Sequence, residues 1–285
     1  MKIAWIGCGV MGKPMAIHLA KAQYEVHVYN RTYEKIKDMD GVIKHTSIRD
    51  CIKNCDVIFT IVGFPRDVDD VYFSDKGIIK NAKKGALLID MTTSSPALAV
   101  KIAQNAKDFE VLDAPVSGGD KGAQDATLTI MVGGNETSFK KAFPLFKILG
   151  KTITYIGQHG SGQHCKMCNQ IAIAGAISAM SEALVYADAH HMDTQRVLQA
   201  IANGSAQSWQ MTNMAPRVLQ NDFDPGFYIK HFVKDMRLAK EEIATKEINL
   251  HMLNSVYHMF HTLENEGYGD LGTQALLKFY DKQKG

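Results

Sequence analysis

One short run near the N-terminus leaves this chain little freedom. Ile6-Gly-Cys-Gly-Val-Met-Gly12 spaces its glycines as G-x-G-x-x-G. The strand-like residues 2–6 precede it, the amphipathic stretch 11–22 follows, and a second β-branched run closes at Asn30. Glycine permits a tight turn and close backbone approach, and the N-terminus of the following helix offers N–H groups to a pyrophosphate. An ordinary glycine turn would use the same residues, but the strand ahead and the helix behind make a dinucleotide cradle the stronger reading. Gly7, Gly9, Val10, Met11 and Gly12 are the residues expected to form it.

The end of the second strand shows which dinucleotide is expected. An acidic residue there would hydrogen-bond the ribose hydroxyls of NAD and repel the 2′-phosphate of NADP. This chain has Val28-Tyr29-Asn30-Arg31-Thr32 instead. A guanidinium pairs with a phosphate and stacks on adenine, while Asn30 and Thr32 add neutral hydrogen-bonding capacity. NADP is the expected cofactor, with NAD possible; as a plain surface side chain, Arg31 would carry no such message.

The rest of the chain falls into two rhythms. Strand candidates at 2–7, 25–30, 56–62, 86–91, 110–116, 128–132 and 152–157 alternate with helical spacing such as 96–106. That alternation predicts an α/β domain, a Rossmann-like doubly wound and mostly parallel sheet, over residues 1–160. Beyond residue 160 strand signals fade, and helices are expected at 163–190, 194–202, 209–219, 233–248, 252–263 and 273–282. Residues 161–285 therefore read as an all-helical domain for substrate binding and dimerisation. The first of these helices is so apolar that burial nearly all round is expected. A second subunit would supply the extra cover, giving a homo-oligomer, dimer or tetramer.

Charge and cysteine content narrow the classes. A formal net charge of +2 gives no footprint for nucleic acid or a membrane surface. The longest apolar run, 171–180, is well short of the roughly 20 residues that cross a bilayer. Five cysteines make no disulfide framework. A soluble, cytoplasmic protein is expected.

Two stretches carry candidate chemistry. Asp113-Ala-Pro-Val-Ser-Gly-Gly119 follows a strand, and Ser117 with the backbone of Gly118 and Gly119 could receive a carboxylate; a structural turn would look alike. Gly160-Ser-Gly-Gln-His-Cys-Lys-Met-Cys-Asn-Gln170 sets a lysine between two cysteines. A zinc site needs four ligands, whereas here His164 and Cys165 are adjacent and point apart on a helix, so no metal is expected. A redox pair is disfavoured because this C-x-x-C follows a sheet already given to nucleotide binding, and Cys165 and Cys168 are expected in or near the core. Lys166, Asn169, Gln170 and Ile173 share a helix face. A lysine near a helix N-terminus opposes the macrodipole, so either it lies in solvent or it has a task there.

In four stretches, residues 6–20, 113–119, 160–170 and 233–239 (VKDMRLA), the chain resembles the β-hydroxyacid dehydrogenases. The resemblance covers essentially the whole length. It implies a Rossmann domain, a helical domain whose long helix builds a dimer, and reversible oxidation of a short 3-hydroxy acid to its semialdehyde. It implies that Lys166 exchanges the proton at the substrate oxygen. Ser117, Gly118, Gly119 and Thr93 would bind the substrate, with Asn169 and Gln170 beside Lys166. Val62, Thr92, Thr93 and Lys234 join the cofactor set. Where the family commonly has K-x-x-N-N, this chain has Asn169-Gln170, a form most similar to the tartronate semialdehyde reductases. That variant argues against a direct transfer of 3-hydroxyisobutyrate as substrate. His18 replaces a frequent asparagine. An ordinary ammonium is protonated at neutral pH, so the chain is suited to reduction without any shift.

Overall fold

The computed structural model describes residues 1–281. Its contacts divide into two compact units, Met1–Lys166 and Met167–Gly285.

The first unit holds nine strands: β1 (Lys2–Ile6), β2 (Glu25–Tyr29), β3 (Ile43–His45), β4 (Val57–Thr60), β5 (Leu87–Asp90), β6 (Glu110–Asp113), β7 (Val116–Ser117), β8 (Leu128–Gly134) and β9 (Gly150–Gly157). They form one sheet in the order β3-β2-β1-β4-β5-β6-β8-β7, with β9 beside β8. All pairings from β3 to β6 are parallel. β8 runs antiparallel to β6 and β7 and parallel to β9. Strand β3, with three residues, went unread because a period of two cannot register in so few positions. The strand expected at 110–116 is two, β6 and β7, parted at Ala114 and Pro115.

Alternate residues of these strands enter two different cores, as the pleat requires. Ile3, Trp5, Phe59 and Ile89 pack with Met15, Leu19 and Phe146, which belong to helices Gly12–Lys21 and Glu136–Leu149. Ala4, Ile6, Ile58 and Leu88 pack with Val68, Tyr72 and Ile102, from helices Pro65–Phe73 and Pro96–Asn105. Both faces are covered, and this explains the near-continuous apolar runs of the strands.

Register then fixes where the loops emerge. Tyr29 pairs with Ile6, Ile6 with Thr60, Thr60 with Asp90 and Asp90 with Asp113. Five strand ends are thus level, and the loops leaving them share one edge of the sheet.

The second unit is helical. The long helix Ser161–Ala189 begins in the first unit and contributes Met167, Ala174 and Ile177 to a core here. These pack with Phe232, Val233 and Met236 of helix Ile229–Ala244 and with Leu253, Val256 and Phe260 of helix His251–Asn265. Further along, Met180 and Leu184 meet Leu198, Met211 and Val218.

Several expectations change here. The helix expected at 209–219 is two, Trp209–Asn213 and Ala215–Leu219, because Pro216 fits only the first turn of a helix. The last helix starts as a tighter 3₁₀ run, Thr273–Leu277, before Lys278–Asp281; its expected end at 282 lies outside the described residues.

The long helix is not buried all round within this chain: His164, Cys168, Ala172, Ala179 and Tyr186 are exposed. Cys165 is half-buried, at the edge of the core, whereas Cys168 is exposed and not the core or near-core residue expected, since neighbouring helices cover only part of the circumference. By length and composition the helix could cross a bilayer. It nonetheless carries the buried polar side chains of Gln163, Lys166, Gln170 and Ser181.

Phe232 and Phe260 meet edge to face with ring centroids 5.1 Å apart, both fully buried. Phe232→Ala should lower unfolding free energy by about 3–5 kcal/mol in urea titrations, a cavity cost in the core of the second unit.

Candidate active site

The glycine turn divides its work among three residues. Gly7 has φ +97°, and a Cβ there would lie 2.0 Å from the Ile61 carbonyl oxygen. A Cβ on Gly12 would meet the Gly7 carbonyl oxygen at 1.9 Å. These two glycines are demanded by the fold. A Cβ on Gly9 would find nothing within 4 Å. Gly9 and Val10 are exposed, Met11 is half-buried, and no side chain caps helix Gly12–Lys21, whose first turn carries no acid. An open glycine beside uncapped helix N–H groups, with no acid in the first turn, is a cradle that a pyrophosphate fits.

The end of β2 is tied to that turn. The Cys8 N–H donates to Asn30 Oδ1 at 3.0 Å, and Asn30 Nδ2 donates to the Thr32 carbonyl at 2.8 Å. Both ends of the Asn30 amide thus brace the loop. Burial pushes the Cys8 thiol up to about 12, so it stays protonated in the core. Arg31 is exposed, and its Nη1 donates to Asp67 Oδ1 at 3.1 Å. The other Asp67 oxygen accepts the Phe64 N–H at the start of helix Pro65–Phe73. Arg31 is therefore aimed by a carboxylate that is itself held by backbone. Thr32 is exposed.

A second lattice joins the loops after β4, β5 and β6. The Val62 N–H donates to Thr92 Oγ1 at 3.0 Å, and the Thr92 N–H donates to Asp90 Oδ1. Gln163, fully buried, spans the next loop: its Oε1 accepts the Ser94 N–H at 2.9 Å and its Nε2 donates to the Thr92 carbonyl at 2.7 Å. Thr93 is half-buried between those two bonds. Asp113, at the end of β6, receives the N–H groups of Gly160 and Gln163 at 2.8 and 2.9 Å. This caps the long helix with a carboxylate, the charge its N-terminus favours. Burial nevertheless outweighs these bonds and raises the carboxyl above its ordinary value. A Cβ on Gly162 would lie 2.5 Å from the Met131 carbonyl oxygen, so only glycine lets the helix start so close.

Lys166 sits one turn beyond that cap and is 5% exposed. The solvated lysine allowed by the sequence is thereby set aside. Ser117 and Gly119 are half-buried, and Gly118 is exposed with φ +134°. His18 Nε2 lies 3.1 and 2.9 Å from the carbonyl oxygens of Ala123 and Gln124. As donor to both, it ties helix Gly12–Lys21 to the end of helix Gly119–Gln124, a role its sequence position did not disclose. In the first unit, then, residues 7–12, Asn30, Arg31, Thr32, Val62, Thr92, Thr93 and Ser117, Gly118 and Gly119 all follow the level strand ends.

Asn169, Gln170 and Lys234 belong to the second unit. Gln170 and Lys234 are buried. Lys234 Nζ lies 2.9 Å from Asp235 Oδ1, an ion pair by distance whose angle is not that of a hydrogen bond.

Sequence reasoning passed over Asp113 as a cap, and it passed over Gln163, Asp67 and Asp235. Asp113 and Gln163 stood inside the quoted motifs, but their partners lie 47 to 71 residues away.

Comparison with known proteins bears on the same residues. A family described as the NAD binding domain of 6-phosphogluconate dehydrogenase matches residues 2–157. Another, NAD-binding of NADP-dependent 3-hydroxyisobutyrate dehydrogenase, matches residues 160–280. The chain belongs to the β-hydroxyacid dehydrogenase family. It is similar to the uncharacterized oxidoreductase YkwC of Bacillus subtilis (48% identity, covering 98% of this chain and 99% of that protein). It is also similar to 2-hydroxy-3-oxopropionate reductase of Escherichia coli (38%, covering 98% and 96%). Among solved structures it resembles 3-hydroxyisobutyrate dehydrogenase of Mycobacterium tuberculosis with L-serine, at 28% identity and a TM-score of 0.89 over 97% and 98% of the chains. As a β-hydroxyacid dehydrogenase it is an NAD(P)-dependent oxidoreductase, and the open cradle at Gly9 suits that cofactor.

Asp113→Asn should cost about 1 kcal/mol at pH 7, because an amide oxygen cannot replace both carboxylate acceptors. The raised carboxyl makes the wild type lose stability as pH climbs from the ordinary carboxylate range to the folded value. The asparagine variant lacks that loss, so urea titrations should show the gap between them shrinking as pH rises.

Proposed function

We propose that this β-hydroxyacid dehydrogenase reduces tartronate semialdehyde (2-hydroxy-3-oxopropanoate) to glycerate with NADPH, Lys166 acting as proton donor. One observation carries the reading: a buried lysine whose helix start is fixed to the strand ends that also bear the dinucleotide cradle. The nicotinamide, when bound, would supply hydride to the aldehyde carbon. Negative charge then develops on the aldehyde oxygen, where the Lys166 ammonium stabilises it and gives up a proton. Ser117 with the N–H groups of Gly118 and Gly119 holds the carboxylate, and Thr93 and Asn169 lie against the substrate. The amide of Gln170 favours tartronate semialdehyde over 3-hydroxyisobutyrate, and similarity to 2-hydroxy-3-oxopropionate reductase points the same way. 3-Hydroxyisobutyrate oxidation and the reduction of glyoxylate or succinic semialdehyde are the competing reactions. A non-catalytic NADP-binding scaffold is the reading from another class, and a buried lysine at 166 speaks against it.

Arg31 meets the 2′-phosphate of NADPH, Val62, Thr92 and Lys234 complete the cofactor contacts, and NAD is the weaker cofactor. A cytoplasmic homo-oligomer, dimer or tetramer, fits this reading. The exposed Ala172, Ala179 and Tyr186 on the long helix and five cysteines that form no disulfide support it.

Turnover of tartronate semialdehyde, glyoxylate, succinic semialdehyde and 3-hydroxyisobutyrate with each nicotinamide tests the substrate. Lys166→Ala should lower kcat by roughly 10²–10⁴-fold; unchanged turnover would end the catalytic assignment. Arg31→Ala should raise the KM for NADPH by about tenfold or more while leaving NADH nearly untouched. Equal effects on both cofactors would contradict a phosphate contact.

A further inference from the structure

The second unit holds a line of polar side chains that ends on Asp235, a residue the reaction above leaves without a purpose. Gln170 Nε2 donates to Asp235 Oδ2 at 2.6 Å, and Asn169 Nδ2 donates to Gln170 Oε1 at 2.8 Å. Asp235 and Gln170 are each 1% exposed, whereas Asn169 is half-buried. The direction of this line is dictated by chemistry. An ionised carboxylate only accepts, so Gln170 must turn its NH₂ toward Asp235 and its carbonyl oxygen toward Asn169. Asn169 must then give its own NH₂ to Gln170, which leaves its carbonyl oxygen as the outward acceptor. The other carboxylate oxygen, Asp235 Oδ1, lies 2.9 Å from the Lys234 ammonium. Asparagine at 170 would be one methylene shorter and could not span the same distance to Asp235.

Asn169 lies three residues beyond Lys166, on the same side of the helix. We propose that Asp235 is a positioning residue that fixes Asn169 as a hydrogen-bond acceptor for a hydroxyl on the substrate carbon next to the carboxylate. The enzyme thereby selects 2-hydroxylated semialdehydes over those with only hydrogen at that carbon. This inference rests on the reading that a semialdehyde binds along the Lys166 face. A site arranged to accept a hydroxyl discriminates against the analogue lacking it, because the acceptor is then left unpaired.

The test compares 2-hydroxy-3-oxopropanoate with 3-oxopropanoate, which differ by that hydroxyl alone. Wild type should prefer the first in kcat/KM by roughly tenfold or more. Asp235→Asn and Gln170→Asn should each erase most of that preference, mainly through the KM of the hydroxylated substrate. Calorimetric Kd values for the products, glycerate and 3-hydroxypropanoate, should show the same loss without turnover. An unchanged preference in both variants overturns the proposal. Equal losses on the two substrates also overturn it, since the line would then act on Lys166 rather than on the hydroxyl. If the wild type turns over neither semialdehyde, the reductase reading falls, and the ratio of product Kd values still decides the role of Asp235. Should Asp235→Asn fail to fold by thermal melting, Gln170→Asn keeps the Asp235–Lys234 pair and carries the test alone.

Discussion

A single carboxylate at the end of a central strand holds the start of the long helix. Asp113 accepts the N–H groups of Gly160 and Gln163, so the first turn of Ser161–Ala189 is measured from the edge of the sheet. Gln163 extends the hold by bonding the backbone of Thr92 and Ser94. Lys166 follows one turn later on a helix whose origin and rotation are both set. Charge and hydrogen bonds favour the ionised carboxylate here while desolvation opposes it, and the raised carboxyl shows that desolvation prevails. The arrangement gives up some stability at neutral pH for position, a trade common at sites where geometry decides rate.

Polar side chains elsewhere in each unit follow one rule: each is oriented by a partner that has no alternative. Carbonyl oxygens on both sides make His18 Nε2 a donor. Asp67, fixed by the Phe64 N–H, aims Arg31. Asp235 sets the sense of two amides. Such one-way partners remove the ambiguity that amides and imidazoles otherwise carry.

Much of this fold could be read from the sequence because its signals are local. The turn at Gly7, Gly9 and Gly12 sits between a strand and a helix, and the parallel strands are apolar enough to be seen. Lys166 stood out because a cation near a helix N-terminus runs against the macrodipole. What escaped notice was short or distant. Strand β3 has three residues, and the partners of Asp113 and Gln163 are far away in sequence. The two cysteines flanking Lys166 were read by residue type alone. Their exposure depends on which arc of the helix meets a neighbour, and no periodicity within an apolar helix reveals that. The split at Met214 was legible in Pro216, a first-turn residue that began a new helix instead of continuing the old one.

The three glycines of the turn answer to different masters. Packing of the chain against itself requires Gly7 and Gly12, while nothing in the folded chain requires Gly9. In a lineage that abandoned nucleotides, selection would keep guarding the outer two and release the middle one. Position 9 would then be the first place where such a loss of calling is written, long before the architecture began to fail.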